Sequence, residues 1–281
     1  MRAAARWVVA GAGLLLVVLA AGTASRAHGE GEAAPAQPPG VRAAREAAAR
    51  FPLPSRELGF QFVGTGTRPD GAEVELTVRV EPAEEAGLPA WKLTEVWGAK
   101  GGGASARRMV ESLVAQDLTP LRGGTYEDGT ARPQRLEWLA GERVLALRLS
   151  GTGSDGKPAR EARSAWFAGQ PMVEVASLLL WARLAPRAPA VVQVDFGAPF
   201  WNRLGGPVQG FQGLTVEGGA GPEFRVAQPG SSEVQQVATH AWTARSADGQ
   251  KVLQALVDAA DGRPRMLSVY GSTYVGQALP L

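Results

Sequence analysis

The chain of 281 residues has no cysteine, two histidines (His28 and His240), a single asparagine (Asn202) and only four lysines beside 25 arginines. Each scarcity removes a class of chemistry. Without cysteine there is no disulfide framework, no thiolate metal site, no cysteine nucleophile and no acylated cysteine of a lipoprotein start. Two histidines are too few for the usual polyhistidine metal sites. Asn202 is followed by Arg203 and Leu204, so there is no glycosylation sequon. Charge of one sign is lacking too, with 29 basic against 27 acidic groups. The skew from lysine to arginine, with abundant Ala, Gly and Pro, reflects a GC-rich bacterial genome more than any ligand.

Long hydrophobic runs are absent except at the start. Arg2 and Arg6 precede the uncharged stretch from Trp7 to Ala21, and small residues follow. This reads as a Sec-type signal peptide over residues 1–24, cleaved after Ala24 or, as the second choice, after Ala27. The stretch falls short of the roughly 20 apolar residues that a spanning helix needs. An uncleaved signal would be the one membrane attachment. The expected location is periplasmic or secreted. Cleavage takes away Arg2 and Arg6 and leaves 27 basic against 27 acidic groups. The slight basicity thus belongs to the signal, and nucleic acid is a poor partner for what remains.

From residue 25 to 56 the composition is that of a flexible linker, with a short helix expected in the Ala-rich stretch Val41–Arg50. Beyond it the chain is mainly β. Val74, Leu76, Val78 and Val80 alternate with Glu75, Thr77 and Arg79, the pattern of a strand with one face on a core. Five Asp-Gly pairs, at 70–71, 128–129, 155–156, 248–249 and 261–262, stand between candidate strands. Asp-Gly tolerates the positive φ of tight hairpin turns, so the pairs predict an antiparallel meander. Strands are expected near 58–67, 73–81, 89–97, 107–116, 119–126, 131–139, 143–151 and 158–167. A second set falls near 190–196, 207–217, 235–246, 250–258 and 264–275.

One long helix separates the sets, from Pro171 to about Leu184. Pro171 suits its first turn, Glu174 its N-terminal dipole and Arg183 its C-terminal end. Its body is apolar nearly all round, which predicts a buried helix. The expected fold is a long curved antiparallel sheet or open half-barrel, with this helix against its concave face. A single β domain over 57–281 is preferred to two β halves, because so apolar a helix needs both strand sets to cover it.

The search for chemistry yields little. Gly151–Gly156 fits G-x-G-x-x-G, but Lys157-Pro158-Ala159-Arg160 follows where a dinucleotide site needs a helix N-terminus. His240 has no G-x-S-x-G serine to serve. No cofactor, metal site or catalytic residue is assigned. Paired carboxylates alone can catalyse hydrolysis, and Asp195 and Glu174, in apolar surroundings, are the two acids worth testing. The close arginine pairs, Arg107/Arg108 to Arg263/Arg265, read as solvated strand faces balanced by acids. Seven tryptophans remain after the signal. Trp91, Trp97, Trp138, Trp181 and Trp242, with Leu180, are the candidates to line an apolar cavity beneath the helix.

Three stretches carry a resemblance. One is Ser112–Arg122, in which Leu118-Thr119-Pro120 leads into an Arg-bearing strand. Another is the helix with Leu180-Trp181-Ala182-Arg183 near its end. The last is the closing strand pair with Trp242 and the hairpin Ala259–Pro264. Over about residues 58–276 the chain resembles an exported bacterial antiparallel-β family of unknown function, and more remotely the half-barrel lipoprotein carriers of the bacterial envelope. The resemblance implies an envelope protein that holds lipid, lipoprotein or another apolar ligand, with no catalytic residue to transfer. The alternatives are a non-catalytic interaction or scaffold protein of the envelope, and a carboxylate-dependent hydrolase.

Overall fold

A computed structural model describes residues 39–281 apart from 69, 101–106, 129–133, 141–143, 152–160, 166–173, 186–191, 201–209, 228–233 and 270. The signal peptide, the first part of the linker and the Gly-rich stretches 101–103 and 152–156 therefore lie outside the described residues. Among the described residues, no helix is long and apolar enough to cross a membrane.

The chain begins with α1 (Pro39–Ala48). The first eight strands follow: β1 (Phe60–Thr67), β2 (Glu73–Glu85), β3 (Leu88–Ala99), β4 (Arg107–Ala115), β5 (Pro120–Asp128), β6 (Gln134–Ala140), β7 (Val144–Gly151) and β8 (Glu161–Ala165). Then comes α2 (Val175–Leu184). The last eight strands are β9 (Val192–Phe200), β10 (Gly210–Ala220), β11 (Phe224–Ala227), β12 (Val234–Val237), β13 (Thr239–Arg245), β14 (Lys251–Asp258), β15 (Pro264–Val269) and β16 (Ser272–Pro280).

Among the described residues, fourteen strands make one open sheet, in the order β8-β7-β6-β5-β4-β3-β2-β1-β16-β15-β14-β13-β10-β9. The remaining two, β11 and β12, pair with each other. The two strand sets meet where the first strand pairs the last, Phe60 opposite Pro280 through Thr67 opposite Thr273. The mainly β, antiparallel architecture expected from the alternation and the turn residues is what the chain adopts. It differs in detail at three places, one being β11, which falls where no strand is expected. The stretch expected as one strand over 264–275 is a hairpin, with Val269 opposite Ser272. The stretch over 235–246 is broken at Ala238 into β12 and β13.

The sheet is curved. α2 packs against β2 and β3 on one side and against β13, β14 and β15 on the other. β3 and β13 are six steps apart in the sheet. On a flat sheet six steps of ~4.8 Å span about 29 Å, nearly three times the ~10 Å width of a helix. One helix reaches both groups only where the sheet wraps around it. Residues Val175–Ala182 are all buried, as expected of a helix without a polar face.

The inward face follows strand parity. One cross-strand row runs Ala278, Phe62, Val78, Glu95, Val110, and another Phe60, Val80, Leu93, Ser112. The core also takes in the segment read as linker. Val41, Ala44 and Ala48 recur at helical spacing on α1 and are buried, as is Phe51 just after it. Compactness correspondingly extends over 37–281.

Asp-Gly turns do the work expected of them wherever they are described. Gly71, Gly249 and Gly262 have φ of 84°, 79° and 72°, and Ala72 and Arg263 donate their N–H to Asp70 and Asp261. The glycines of the pairs at 128–129 and 155–156 lie outside the described residues. The β2–β3 turn breaks the pattern. Glu85 pairs Leu88, so the loop is two residues long, and Ala86 and Gly87 both have positive φ, 51° and 81°. Two positive φ values call for Asn-Gly, and an L-residue with a Cβ loses about 1–2 kcal/mol there. Asn tolerates that region better, so Ala86→Asn is expected to stabilise the protein by about 1 kcal/mol. A urea midpoint that does not rise would contradict this.

Candidate functional site

The cavity candidates gather around α2. Trp91, Leu180, Trp181 and Trp242 are at most 2% exposed. Trp181 stands edge-on to Trp242 at 5.8 Å and to Phe51 at 5.2 Å. Trp242 in turn lies over Gly218, where a Cβ would come within 2.5 Å of its ring. Trp97 is half-buried and meets Tyr274 edge-on at 5.6 Å. Trp138 belongs to β6, opposite Gly123, with its side chain outside the described residues. Four of the six candidates thus belong to one apolar cluster in which helix and sheet interlock.

Polar ties hold the helix at its two ends. At the C-terminal end, Arg183 donates through Nε to Leu58 O (3.0 Å) and through Nη2 to Glu57 O (3.3 Å). Its guanidinium also lies 5.7 Å from the centre of the Phe60 ring. At the N-terminal end the connection is a buried carboxyl pair. Glu174 is the N-cap residue, and its N–H donates to Ser177 Oγ at 2.6 Å. The acid precedes the serine here, the reverse of the usual Ser-x-x-Glu capping box. From the sheet, Ser112 Oγ donates to Glu174 Oε2 at 2.6 Å. Glu95 Oε1 accepts the N–H of Ala176 at 2.7 Å, and Trp97 Nε1 donates to Glu95 Oε2 at 3.3 Å. Glu95 therefore satisfies one of the N–H groups that the first helical turn leaves without an internal acceptor.

Both carboxyls are buried, Glu95 at 4% and Glu174 at 8% exposure. Burial pushes the Glu95 carboxyl up to about 8, and the charge of Glu174 adds to that rise, against the pull of Ala176 N–H, Arg108 and Trp97. Burial likewise raises Glu174, against Ser112 and Arg108. Glu174 Oε1 and Arg108 Nε are buried without a hydrogen-bond partner. Two like charges in one low-dielectric site cannot both form cheaply, so one of the two acids keeps its proton at neutral pH.

Of the two acids singled out from sequence, Glu174 is thus a buried cap. Asp195 lies on β9 opposite Thr215, its side chain outside the described residues. Glu95 was missed. Its signal is the alternation Trp91, Leu93, Glu95, Trp97, which places an acid at an inward position of β3. His240 sits half-buried on β13, opposite Ala220 and Val257, with Nε2 lacking a partner. Arg263 is exposed and pairs with Asp261, as expected of a solvated face. Arg265 and its partner Asp258 are largely buried and Arg108 has its Nε buried, so those two arginines are not on a solvated face. No group of three or more His, Asp or Glu placed to hold a metal occurs among the described residues. The arrangement can bury apolar surface and hold a proton. Compared with protein-family models, with curated proteins and with solved structures, the chain finds no match in any of the three.

Proposed function

We propose that this is an exported envelope protein that binds lipid, the acylated part of a lipoprotein or another apolar ligand on the concave face of its sheet. The observation that carries this reading is α2 itself, an apolar helix lying where such a ligand would lie. Contacts between its buried side chains and the sheet are non-directional, so acyl chains can replace them at similar free energy per unit area, about 25 cal/mol per Å². Its polar ties at Glu95, Ser112 and Arg183 are at the two ends. In this reading α2 is the resident occupant of the face and gives way to the ligand. The resemblance to half-barrel lipoprotein carriers points the same way.

A second reading, an interaction or scaffold protein, has one observation in its favour. Val275 and Leu279 of β16 are 48% and 45% exposed on a strand in the middle of the sheet. Native mass spectrometry of the protein released from a bacterial periplasm tests the first reading. The expected result is an adduct of lipid mass that is lost on denaturation and recovered in the organic extract. Repeated preparations showing the bare chain mass alone would remove the ligand, and co-purification of an envelope protein in its place would favour the scaffold.

A further inference from the structure

The carboxyl pair at the start of α2 straddles a junction: Glu174 belongs to the helix, whereas Glu95 belongs to β3 of the sheet. We propose that the two acids form a proton-operated latch, which seats the N-terminal end of α2 on β3 and β4 while one of them holds a proton and releases it when the proton leaves. This property belongs to the fold and does not rest on what the concave face binds.

Among the described residues, the charges around the pair balance one negative charge, not two. Arg108 supplies one positive charge from β4. The helix N-terminus adds a partial one, delivered to Glu95 Oε1 by Ala176 N–H. The Ser177 N–H, also at the helix N-terminus, donates to the Glu174 side chain. Trp97 Nε1 to Glu95 and Ser112 Oγ to Glu174 are neutral donors. On the inward face of β2 stand Leu76 and Val78, opposite Trp97 and Glu95. From β16, Tyr274 reaches the site through its edge-on contact with Trp97. Beyond the helix, β13, β14 and β15 contribute buried Trp242, Ala255 and Leu267. Their charged groups pair away from it, Asp258 with Arg265 and Arg245 with Glu217. His240, at the start of β13, and the exposed Lys251, which donates to Gln254 on β14, are further titratable groups there. At the far end of α2 stands Arg183, bonded to the backbone of residues 57 and 58.

A second negative charge would rest partly on Glu174 Oε1, a buried oxygen with no hydrogen-bond partner. Repulsion would then act between helix and sheet. Lifting the first turn of α2 would carry Glu174 off the sheet and break the Ser112 and Ala176 bonds. The raised titration of both acids agrees with this arrangement.

Hydrogen exchange read by mass spectrometry on the whole protein, corrected for intrinsic rates, tests the latch. In peptides covering 175–184, protection is expected to fall with rising pH, by at most about tenfold per unit for one proton, and to level off once the pair is fully ionised. Glu95→Gln keeps an acceptor for Ala176 and removes one of the two ionisations, so its corrected protection should fall distinctly less with pH than that of the wild type. Wild-type protection that stays constant from pH 6 to 9, or an equal fall in Glu95→Gln, overturns the proposal. Should that variant fail to fold, carbon-13 NMR of the wild-type glutamate carboxyls decides. A carboxyl titrating above pH 7 supports the latch, and none above pH 7 overturns it.

Discussion

Replacing Trp181 by alanine is expected to destabilise the protein by about 3–5 kcal/mol, the range for removing a large buried aromatic side chain. Trp181 is 1% exposed and is held edge-on between Phe51, from the segment after α1, and Trp242 of β13. Edge-to-face pairs add about 0.5–1.5 kcal/mol each beyond area burial. The indole thus joins three separate parts of the chain, and no neighbouring side chain can fill its volume without breaking one of those contacts. Urea unfolding followed by far-UV circular dichroism measures the loss as a lowered midpoint. Leu88→Ser provides the contrast. Leu88 is 68% exposed at the β2–β3 turn, and its replacement should move stability by less than about 0.5 kcal/mol. Equal effects at the two positions would mean that α2 is not the centre of the core.

Stability is also expected to fall as pH rises from about 5 to 8. In the folded chain Glu95 holds its proton up to about 8, against 4.5 as the ordinary value. Between those values the folded chain binds a proton that the unfolded chain has released. Unfolding then releases protons, so rising pH favours it. The slope reaches at most about 1.4 kcal/mol per pH unit for one proton. Below 4.5 both states are protonated and the contribution is flat. Above about 8 both are ionised and the cost of burying the charge is present in full. Glu174, raised by the same burial, acts in the same direction. Asp258, partly buried but held below its ordinary range by Ala260 N–H and Arg265, titrates at more acid pH and leaves this window clear. Urea midpoints measured at intervals from pH 5 to 8 should descend for the wild type, and the slope should diminish in Glu95→Gln. A level wild-type profile would show that the pair does not hold its proton in the folded chain.

Those two effects concern features of unequal legibility. The burial of α2 can be read from residues Met172–Leu184, because a helix with no polar side has nowhere to lie but inside a core. Its N-terminal latch cannot. Glu95 and Ala176 are 81 positions apart, and each segment looks ordinary alone. Local rules also fail where burial outweighs them. Leu118 takes φ of 63° in the β4–β5 turn, a place for Gly or Asn, and its side chain is fully buried. The turn at Gly271, with φ of 85°, is hidden in a run of β-formers, Ser268-Val269-Tyr270, that carries no Asn or Asp to mark it.

Composition and periodicity alone determined that this chain lacks cysteine chemistry, that it is built of antiparallel hairpins, and that one apolar helix must be enclosed. These are local properties: alternation of period two, turn residues with positive φ, and a helix without a polar side. Tertiary structure decided the rest. It paired the first strand with the last, curved the sheet around α2 and brought α1 into the core. It also set Glu95 beside Glu174 in a buried place at the junction of helix and sheet. Such pairings depend on sheet order and curvature, which arise from contacts between distant segments and leave no periodic mark in either one.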